Sequence, residues 1–270
     1  MPAFIQISDP HIVSKGQLVC GHSNTATALR EAITSINTRL PSLGPVDCAI
    51  VTGDLADHGT AEEYAHFTEL MAGLALPWLA IPGNHDIRDA MRAAFHTADW
   101  MPQVGHIQWL RDFGPFAVIG LDTLLDGAHH GWLAEDGLAF LDRSLIALEN
   151  QPVVVATHHP WMHSGIPAMD ANHLRNGAVM MDRLQAHPGP VRMISGHVHR
   201  AVTGQIGKVT CQIAPSTAHA VNRDVRADAI HGFVLEPGAV MLHRWLDGPA
   251  PGLVSDIMPS GSFPGPWPFE

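Results

Sequence analysis

Short apolar runs that stop abruptly in polar clusters recur along the chain up to residue 199. Ala3 to Ser8 runs into Asp9-Pro10-His11, Asp47 to Thr52 into Gly53-Asp54, and Pro77 to Ile81 into Pro82-Gly83-Asn84-His85-Asp86. Pro152 to Ala156 delivers Thr157-His158-His159-Pro160, and Val191 to Ser195 delivers Gly196-His197-Val198-His199. Such unbroken runs predict buried strands, and Phe116 to Leu121 has the same character. Between the first two, Ala28, Leu29, Ala32, Ile33 and Ile36 recur at helical spacing and predict a helix over 25–37. Thr60 followed by Glu63 reads as a capping box for a helix to about Leu74. Further helices are predicted over 88–95, 135–149 and 179–185.

The pattern changes after Arg200. Val202 to Ile206, Val209 to Ile213, Gly232 to Leu235 and Val240 to Trp245 are short and separated by glycine, which predicts antiparallel hairpins. Residues 247–270 are rich in Pro and Gly and read as a surface tail or an arm against a neighbour. Strand and helix alternating, then β-rich sequence, predict an α/β fold of two packed sheets with helices outside. The expected organisation is one domain over 1–246 and a C-terminal tail over 247–270.

Composition adds a core and removes some partners. Of the 270 residues, 46% are apolar and 15% charged, the balance of a globular chain. With 26 acidic residues against 15 Lys and Arg, the net charge of -11 excludes the basic footprint needed to bind a nucleic-acid duplex. An acidic chain that acts on phosphate needs positive charge from elsewhere, and bound cations are the natural source. Cys20, Cys48 and Cys211 have no paired spacing, so neither a disulfide framework nor a thiolate metal site is expected, and a reduced cytoplasm is. The start of the chain shows no basic region and no long apolar stretch, so no signal peptide or membrane span is expected.

The polar clusters carry the chemistry. Ligands of open α/β sheets bind beyond the carboxyl ends of strands, so the five strand-end segments can converge on one rim. Mixed oxygen and imidazole donors without thiolate suit Mn, Fe, Zn or Co. Seven donors are too many for one tetrahedral ion, but they suit two ions about 3.5–4 Å apart that share a carboxylate, with Asp54 as the natural bridge. Gly53, Gly83 and Gly196 each precede one of these residues at a turn where a Cβ could clash. Any one of the 19 histidines taken alone is more often a surface or core residue. Five segments in order are not.

These five segments resemble, in content and order, those of the calcineurin-like metallophosphoesterase superfamily, and within it the branch of class III cyclic-nucleotide phosphodiesterases and glycerophosphodiesterases. The resemblance covers about residues 3–220. It implies a four-layer αββα sandwich of two mixed β-sheets flanked by helices. It also implies one metal ion on Asp9, His11, Asp54 and His199, and a second on Asp54, Asn84, His158 and His197, with a bridging hydroxide as nucleophile toward a small phosphodiester. His85 and His219 would be the catalytic side chains, the former as proton donor or stabiliser of charge on the phosphate. Asp57 or Asp86 would orient the ring of His85, and His159 would pack behind His158. In this branch His22 and Asn24 fall where substrate is contacted.

Asp57 reads equally well as a turn residue before the 60–74 helix, and Asp86 as a cap for the helix after it. His129, His130, Trp132, Trp161, His163 and His173 sit in predicted loops that roof the rim, where plain exposure is the commoner state. Two other functions fit the same residues: a phosphomonoesterase or phosphonate-ester hydrolase on the same two-metal core, and a non-catalytic metal-binding scaffold. The Pro-rich end and long loops leave room for a homodimer.

Overall fold

The computed structural model describes residues 1–226 and 228–269. β1 (Ala3–Ile7) lies parallel to β2 (Cys48–Thr52), and both are buried along their whole length, as unbroken apolar runs require. Between them α1 (Thr25–Leu43) packs Leu29, Ile33 and Ile36 inward. It passes the expected end at residue 37: Leu40 and Leu43 extend the apolar period of Ile36 and pack, half-buried, against the same core despite Pro41, and the helix stops before Gly44 at φ 72°. α2 (Ala61–Met71) begins with the capping box: Thr60 Oγ1 accepts from Glu63 N at 3.2 Å, and Glu63 Oε2 accepts from Thr60 N at 3.1 Å. β3 (Trp78–Ile81) lies parallel to β2, and α3 (Arg88–Ala94) follows it.

The second sheet starts with β4 (Trp109–Asp112), antiparallel to β5 (Ala117–Gly120). β4 is an edge strand with charged residues, so no apolar run announces it. α4 (Glu135–Leu148), β6 (Val153–Ala156), the short α5 (Pro167–Asp170), α6 (Gly177–Ala186) and β7 (Val191–Ser195) follow, with β5, β6 and β7 parallel.

The expected run of hairpins after Arg200 is divided among three ladders. β8 (Val202–Ile206) and β9 (Val209–Ile213) pair antiparallel, but β9 also lies parallel to β7. β10 (Ala220–Val221) and β11 (Phe233–Val234) form a separate pair. β12 (Ala239–Leu246) crosses back to lie antiparallel to β1. β13 (Gly252–Pro259) corrects the predicted tail over 247–270: all eight of its residues pair with β12. As an edge strand only half shielded it lacks an apolar signature, and a boundary at 246 falls inside this hairpin.

The sheet orders are thus β13-β12-β1-β2-β3 and β4-β5-β6-β7-β9-β8. Alternation along the second sheet shows how the layers stack. Val118, Val154, Ala156 and Ile194 face the core shared with Phe4, Leu29 and Phe67. Their strand neighbours Ile119, Val153, Val155 and Met193 face Leu141 and Leu148 of α4 and Met180 and Leu184 of α6. Two mixed sheets therefore pack face to face with helices outside, and the parallel strands β1, β2, β3, β6 and β7 bring their carboxyl ends to one rim. Among the described residues no helix is long and apolar enough to cross a membrane.

Candidate metal centre

The backbone at this rim is strained. Asp9, His11, Asp54, His197 and His199 all have φ between 45° and 70°, and only Cys20 and Glu149 share this state among the described non-glycine residues. Left-handed conformations cost about 1–3 kcal/mol each and persist where surrounding structure imposes them, most often at functional sites. Gly83 shows the crowding: a Cβ there would strike the Asp54 carboxylate and its backbone nitrogen.

Asp9, His11, Asp54 and His199 form one group whose donor atoms lie within 4.8 Å of one another. His199 Nδ1 donates to the His219 carbonyl at 3.1 Å, which leaves Nε2 3.1 Å from His11 Nε2 and 3.4 Å from Asp9 Oδ1. His11 Nδ1 bonds the Asp57 carboxylate at 3.0 Å, and its Nε2 is 3.4 Å from Asp54 Oδ2. A second group gathers His158, His159 and His197, again within 4.8 Å. His158 Nδ1 donates to the Thr52 carbonyl at 2.8 Å, so Nε2 faces Asn84 Oδ1 at 3.2 Å and Asp54 Oδ2 at 3.3 Å. Asp54 Oδ2 thus lies between the groups, while its Oδ1 accepts the His85 N–H at 2.9 Å. An imidazole tied at Nδ1 and aimed inward at Nε2 is the form in which histidine ligates a metal.

The residues present fit a metal centre by an independent sign. Nε2 of His197 and Nε2 of His159 are buried without a hydrogen-bond partner. Buried polar atoms are rarely left so. Two such nitrogens among carboxylates are donors for a cation. His159, expected only to pack behind His158, bonds Thr123 Oγ1 through Nδ1 at 2.9 Å and turns its free nitrogen into the second group.

Electrostatics support the same picture. Burial raises the Asp9 carboxyl, but the charges of His199 and His158 outweigh it and hold the group at about 2. Burial likewise opposes ionisation of Asp54, and His158 and His85 overcome it, so Asp54 lies well below the usual carboxylate range. Burial lowers His158, yet the charge of Asp54 lifts it to about 9, so a proton sits where a cation would. Metal uptake would expel that proton.

Burial also holds three other imidazoles neutral. His197, His219 and, on β12, His243 are pushed down to about 3, with further help from the charges of His158, His199 and Arg192 respectively. Their ordinary value is 6.5, so between about 3 and 6.5 the unfolded chain binds more protons than the folded one. Stability then rises with pH, and it is lost as pH falls, by up to ~1.4 kcal/mol per pH unit for each group. His158 acts in the opposite sense and at higher pH: its contribution is lost as pH rises through about 9. The Tm of the metal-free protein is expected to fall steadily from pH 6.5 to pH 4 in calorimetry. A flat Tm over that window would contradict three buried neutral imidazoles.

The remaining sequence candidates divide. His85 stands at the mouth with its ring 4.7 Å from that of His11 and its side chain 34% exposed. Its Nδ1 donates to the Asp57 carbonyl at 2.7 Å, with the Asp57 carboxylate at 3.8 Å and given instead to His11. Asp86 does not reach His85. Its carboxylate accepts from Gly83 N, Leu55 N, Ala56 N and Tyr64 Oη, tying together the turns that carry Asn84 and Asp54. Nor does it cap α3, whose first turn has no side-chain cap. His219 lines the cavity, 4.8 Å ring to ring from His199. His22 is exposed and Asn24 caps α1 by accepting from Thr27 N at 3.0 Å, so neither lines the cavity. Capping draws the Asn24 side chain toward the helix amides; Val19 and Cys20 line the cavity from that loop instead.

The cavity over both groups measures about 610 Å³. Its walls include His129, from one of the loops expected to roof the rim, and four residues that no sequence pattern marked for the site: Met169, Asn172, His231 and Phe233. Met169 comes from the short α5 and Phe233 from β11, the others from loops, and none of these segments is long enough to show periodicity. Arg88 grips the Asp122 carboxylate at 2.8 and 3.0 Å and so fixes the start of the segment leading to His129, whose ring is 6.4 Å from that of His85.

Known proteins share this arrangement of chain and fold. Residues 2–201 match the calcineurin-like phosphoesterase family. The chain is 36% identical over 266 residues to a probable glycerophosphodiester phosphodiesterase of Arcobacter nitrofigilis, covering 98% of this chain and 96% of that protein. It is 29% identical over 213 residues to a 3',5'-cyclic adenosine monophosphate phosphodiesterase of Pseudomonas aeruginosa, covering 79% and 75%. A dimetal phosphatase from Danio rerio, 13% identical, superposes with a TM-score of 0.61 over 96% of this chain and 99% of its own, a likeness of fold. With 200 consecutive residues matched and the rim of histidines and aspartates in place, the chain belongs to the calcineurin-like phosphoesterase family.

Proposed function

We propose that the chain hydrolyses small phosphodiesters, of the cyclic-nucleotide or glycerophosphodiester kind, at a centre of two metal ions drawn from Mn, Fe, Zn and Co. Asp9, His11, Asp54 and His199 would hold one ion, and Asp54, Asn84, His158 and His197 the other. The position of Asp54 Oδ2, 3.4 Å from His11 Nε2 and 3.3 Å from His158 Nε2, supports the shared carboxylate. When bound, the ions would supply a water of lowered pKa and neutralise charge on both oxygens of an in-line displacement.

The chain's own groups do the rest. The Asp57 carbonyl accepts a hydrogen bond from His85 Nδ1, which leaves Nε2 facing the cavity mouth. Burial lowers the His85 ring, but Asp54 and the Asp57 carbonyl outweigh it and raise the ring from its ordinary value, which favours the protonated form that a donor to the leaving oxygen needs. His219, kept neutral by burial, offers a hydrogen bond rather than a charge. The three free thiols suit a reducing cytoplasm.

The preference for a diester rests on one observation: among the residues lining the cavity there is no Lys or Arg. A monoester carries close to two negative charges near neutral pH and gains most from extra fixed cations, whereas a diester carries one. The Mn-loaded protein is expected to turn over bis(4-nitrophenyl) phosphate at least about tenfold faster than 4-nitrophenyl phosphate. The reverse preference would overturn the diester assignment in favour of a phosphomonoesterase. No hydrolysis of either ester with Mn, Zn, Fe or Co would leave a metal-binding scaffold.

A further inference from the structure

Behind Asp9 a line of hydrogen bonds crosses the interior from one sheet to the other. Asp9 Oδ2 accepts from Ser8 Oγ at 2.5 Å, and Ser8 Oγ accepts from Thr52 Oγ1 at 2.8 Å. Thr52 Oγ1 accepts from Gln6 Nε2 at 3.0 Å, and Gln6 Oε1 faces His243 Nε2 at 3.0 Å. His243 Nδ1 meets Ser255 Oγ of β13 at 2.8 Å, and that oxygen accepts from Arg192 Nη1 of β7 at 2.5 Å. Gln6, Ser8, Asp9, Thr52 and His243 are fully buried.

The Ser195 carbonyl fixes the sense of the links. It can only accept, so the Gln6 amide nitrogen, 3.1 Å away, is turned toward it and toward Thr52, and Gln6 Oε1 faces His243. His243 therefore carries its proton on Nε2 and donates to Gln6 Oε1. Its Nδ1 accepts from the Ser255 hydroxyl, whose oxygen accepts from Arg192, a group that can only donate. The Thr52 proton goes to Ser8, with the Ile7 carbonyl farther off at 3.4 Å, and the Ser8 proton has the Asp9 carboxylate as its acceptor. Burial, helped by Arg192, keeps His243 neutral, as a link with one donor and one acceptor must be.

The two oxygens of Asp9 are thereby made unlike. The His197 N–H is shared between them, 2.9 Å from Oδ1 and 3.1 Å from Oδ2, but Oδ2 also accepts from the Ser8 hydroxyl, while Oδ1 lies 3.4 Å from His199 Nε2 on the side of His11 and Asp54. Gly196 makes the space, because a Cβ there would overlap Ser8 Oγ and Asp9 Oδ2.

We infer that Ser8, Thr52, Gln6, His243 and Ser255 are positioning residues, a relay that pins Asp9 Oδ2 and presents Oδ1 to the ion held with His11 and His199. The β12–β13 hairpin thus sets how tightly that ion is bound. This rests on the two-metal reading. Hydrogen bonds from O–H to a carboxylate are among the strong ones, and loss of a partner behind a metal ligand weakens metal binding by about 10–100-fold.

Calorimetric titration of the metal-free protein with Mn²⁺ tests the relay. Ser8→Ala is expected to weaken one of the two sites by about tenfold or more and spare the other, and Ser8→Thr to restore it. His243→Phe, which keeps the ring's stacking on Phe4, should weaken the same site in the wild-type background and have no further effect in the Ser8→Ala background. Equal effects of His243→Phe in both backgrounds, or an unchanged affinity in Ser8→Ala, would overturn the relay. If His243→Phe does not fold, Ser255→Ala at the sheet edge replaces it in the same cycle. Nitrogen NMR of the metal-free protein gives a second reading that needs no ion: the His243 proton belongs on Nε2, and a proton on Nδ1 would refute the relay. Failure of the wild-type protein to bind Mn²⁺ would sink the two-metal reading instead, leaving the tautomer to decide for or against the relay.

Discussion

Asp54→Ala is expected to lower metal content at both positions together, and turnover with it. The loss should exceed the ~10–100-fold that removal of a partner behind a ligand costs. One oxygen of Asp54 faces the imidazoles of both groups, and the other holds the backbone of His85. Alanine removes all of these at once. It also takes away the charge that outweighs burial at His158, so that ring loses its proton at lower pH. Asp54→Asn keeps an acceptor for the His85 N–H without the charge, and its losses should be intermediate. Elemental analysis beside a turnover assay reads both quantities. Full occupancy of two ions in Asp54→Ala would contradict the bridging assignment.

His85→Ala should separate chemistry from metal binding. The contact of residue 85 with Asp54 is made by its backbone N–H, which alanine retains, so both ions should stay. What disappears is a ring lifted above its ordinary pKa at the cavity mouth, and a loss of general acid catalysis costs about 10²–10⁴-fold in kcat. The defect should be largest for a diester with an alkoxide leaving group and smallest for one with nitrophenolate, which needs little protonation. Equal defects for both would assign His85 to charge stabilisation on the phosphate rather than to proton donation, and undiminished turnover would remove it from the reaction.

What could be read from sequence follows from what the fold demands of each position. Asp9, Asp54, Asn84, His158 and His197 stand out because they come just after apolar runs that are almost wholly buried, and polar residues there need a reason. The capping box at Thr60 is legible because two reciprocal bonds constrain two residues at fixed spacing. Asn24 is the counter-example: the residue type that suits substrate contact is also the type that caps helices, and the cap prevails. β13 and β4 escape notice because an edge strand needs neither a full apolar face nor a regular pattern. His129 reaches the cavity on a loop whose path is set by distant contacts, such as the grip of Arg88 on Asp122, and Phe233 on a two-residue strand too short to show a pattern. The partner of β12 could not be inferred from its own residues, since a buried strand records burial and not the neighbour that causes it.

That partner, β1, gives the molecule a timetable. β1 runs straight into Asp9, while the strand that flanks it lies far along the sequence, so β1 leaves the ribosome well before β12. Until β12 and β13 emerge, β1 has one open edge, Gln6 lacks its His243 partner, and an interior polar group stands bare. Pairing over so long a sequence separation carries a loop-closure cost and makes for slow folding. Assembly of the rim therefore waits on β12: a nascent chain that lacks the β12–β13 hairpin would expose Asp9, His11 and Asp54 without the frame that aims them, and metal loading would follow the docking of that hairpin.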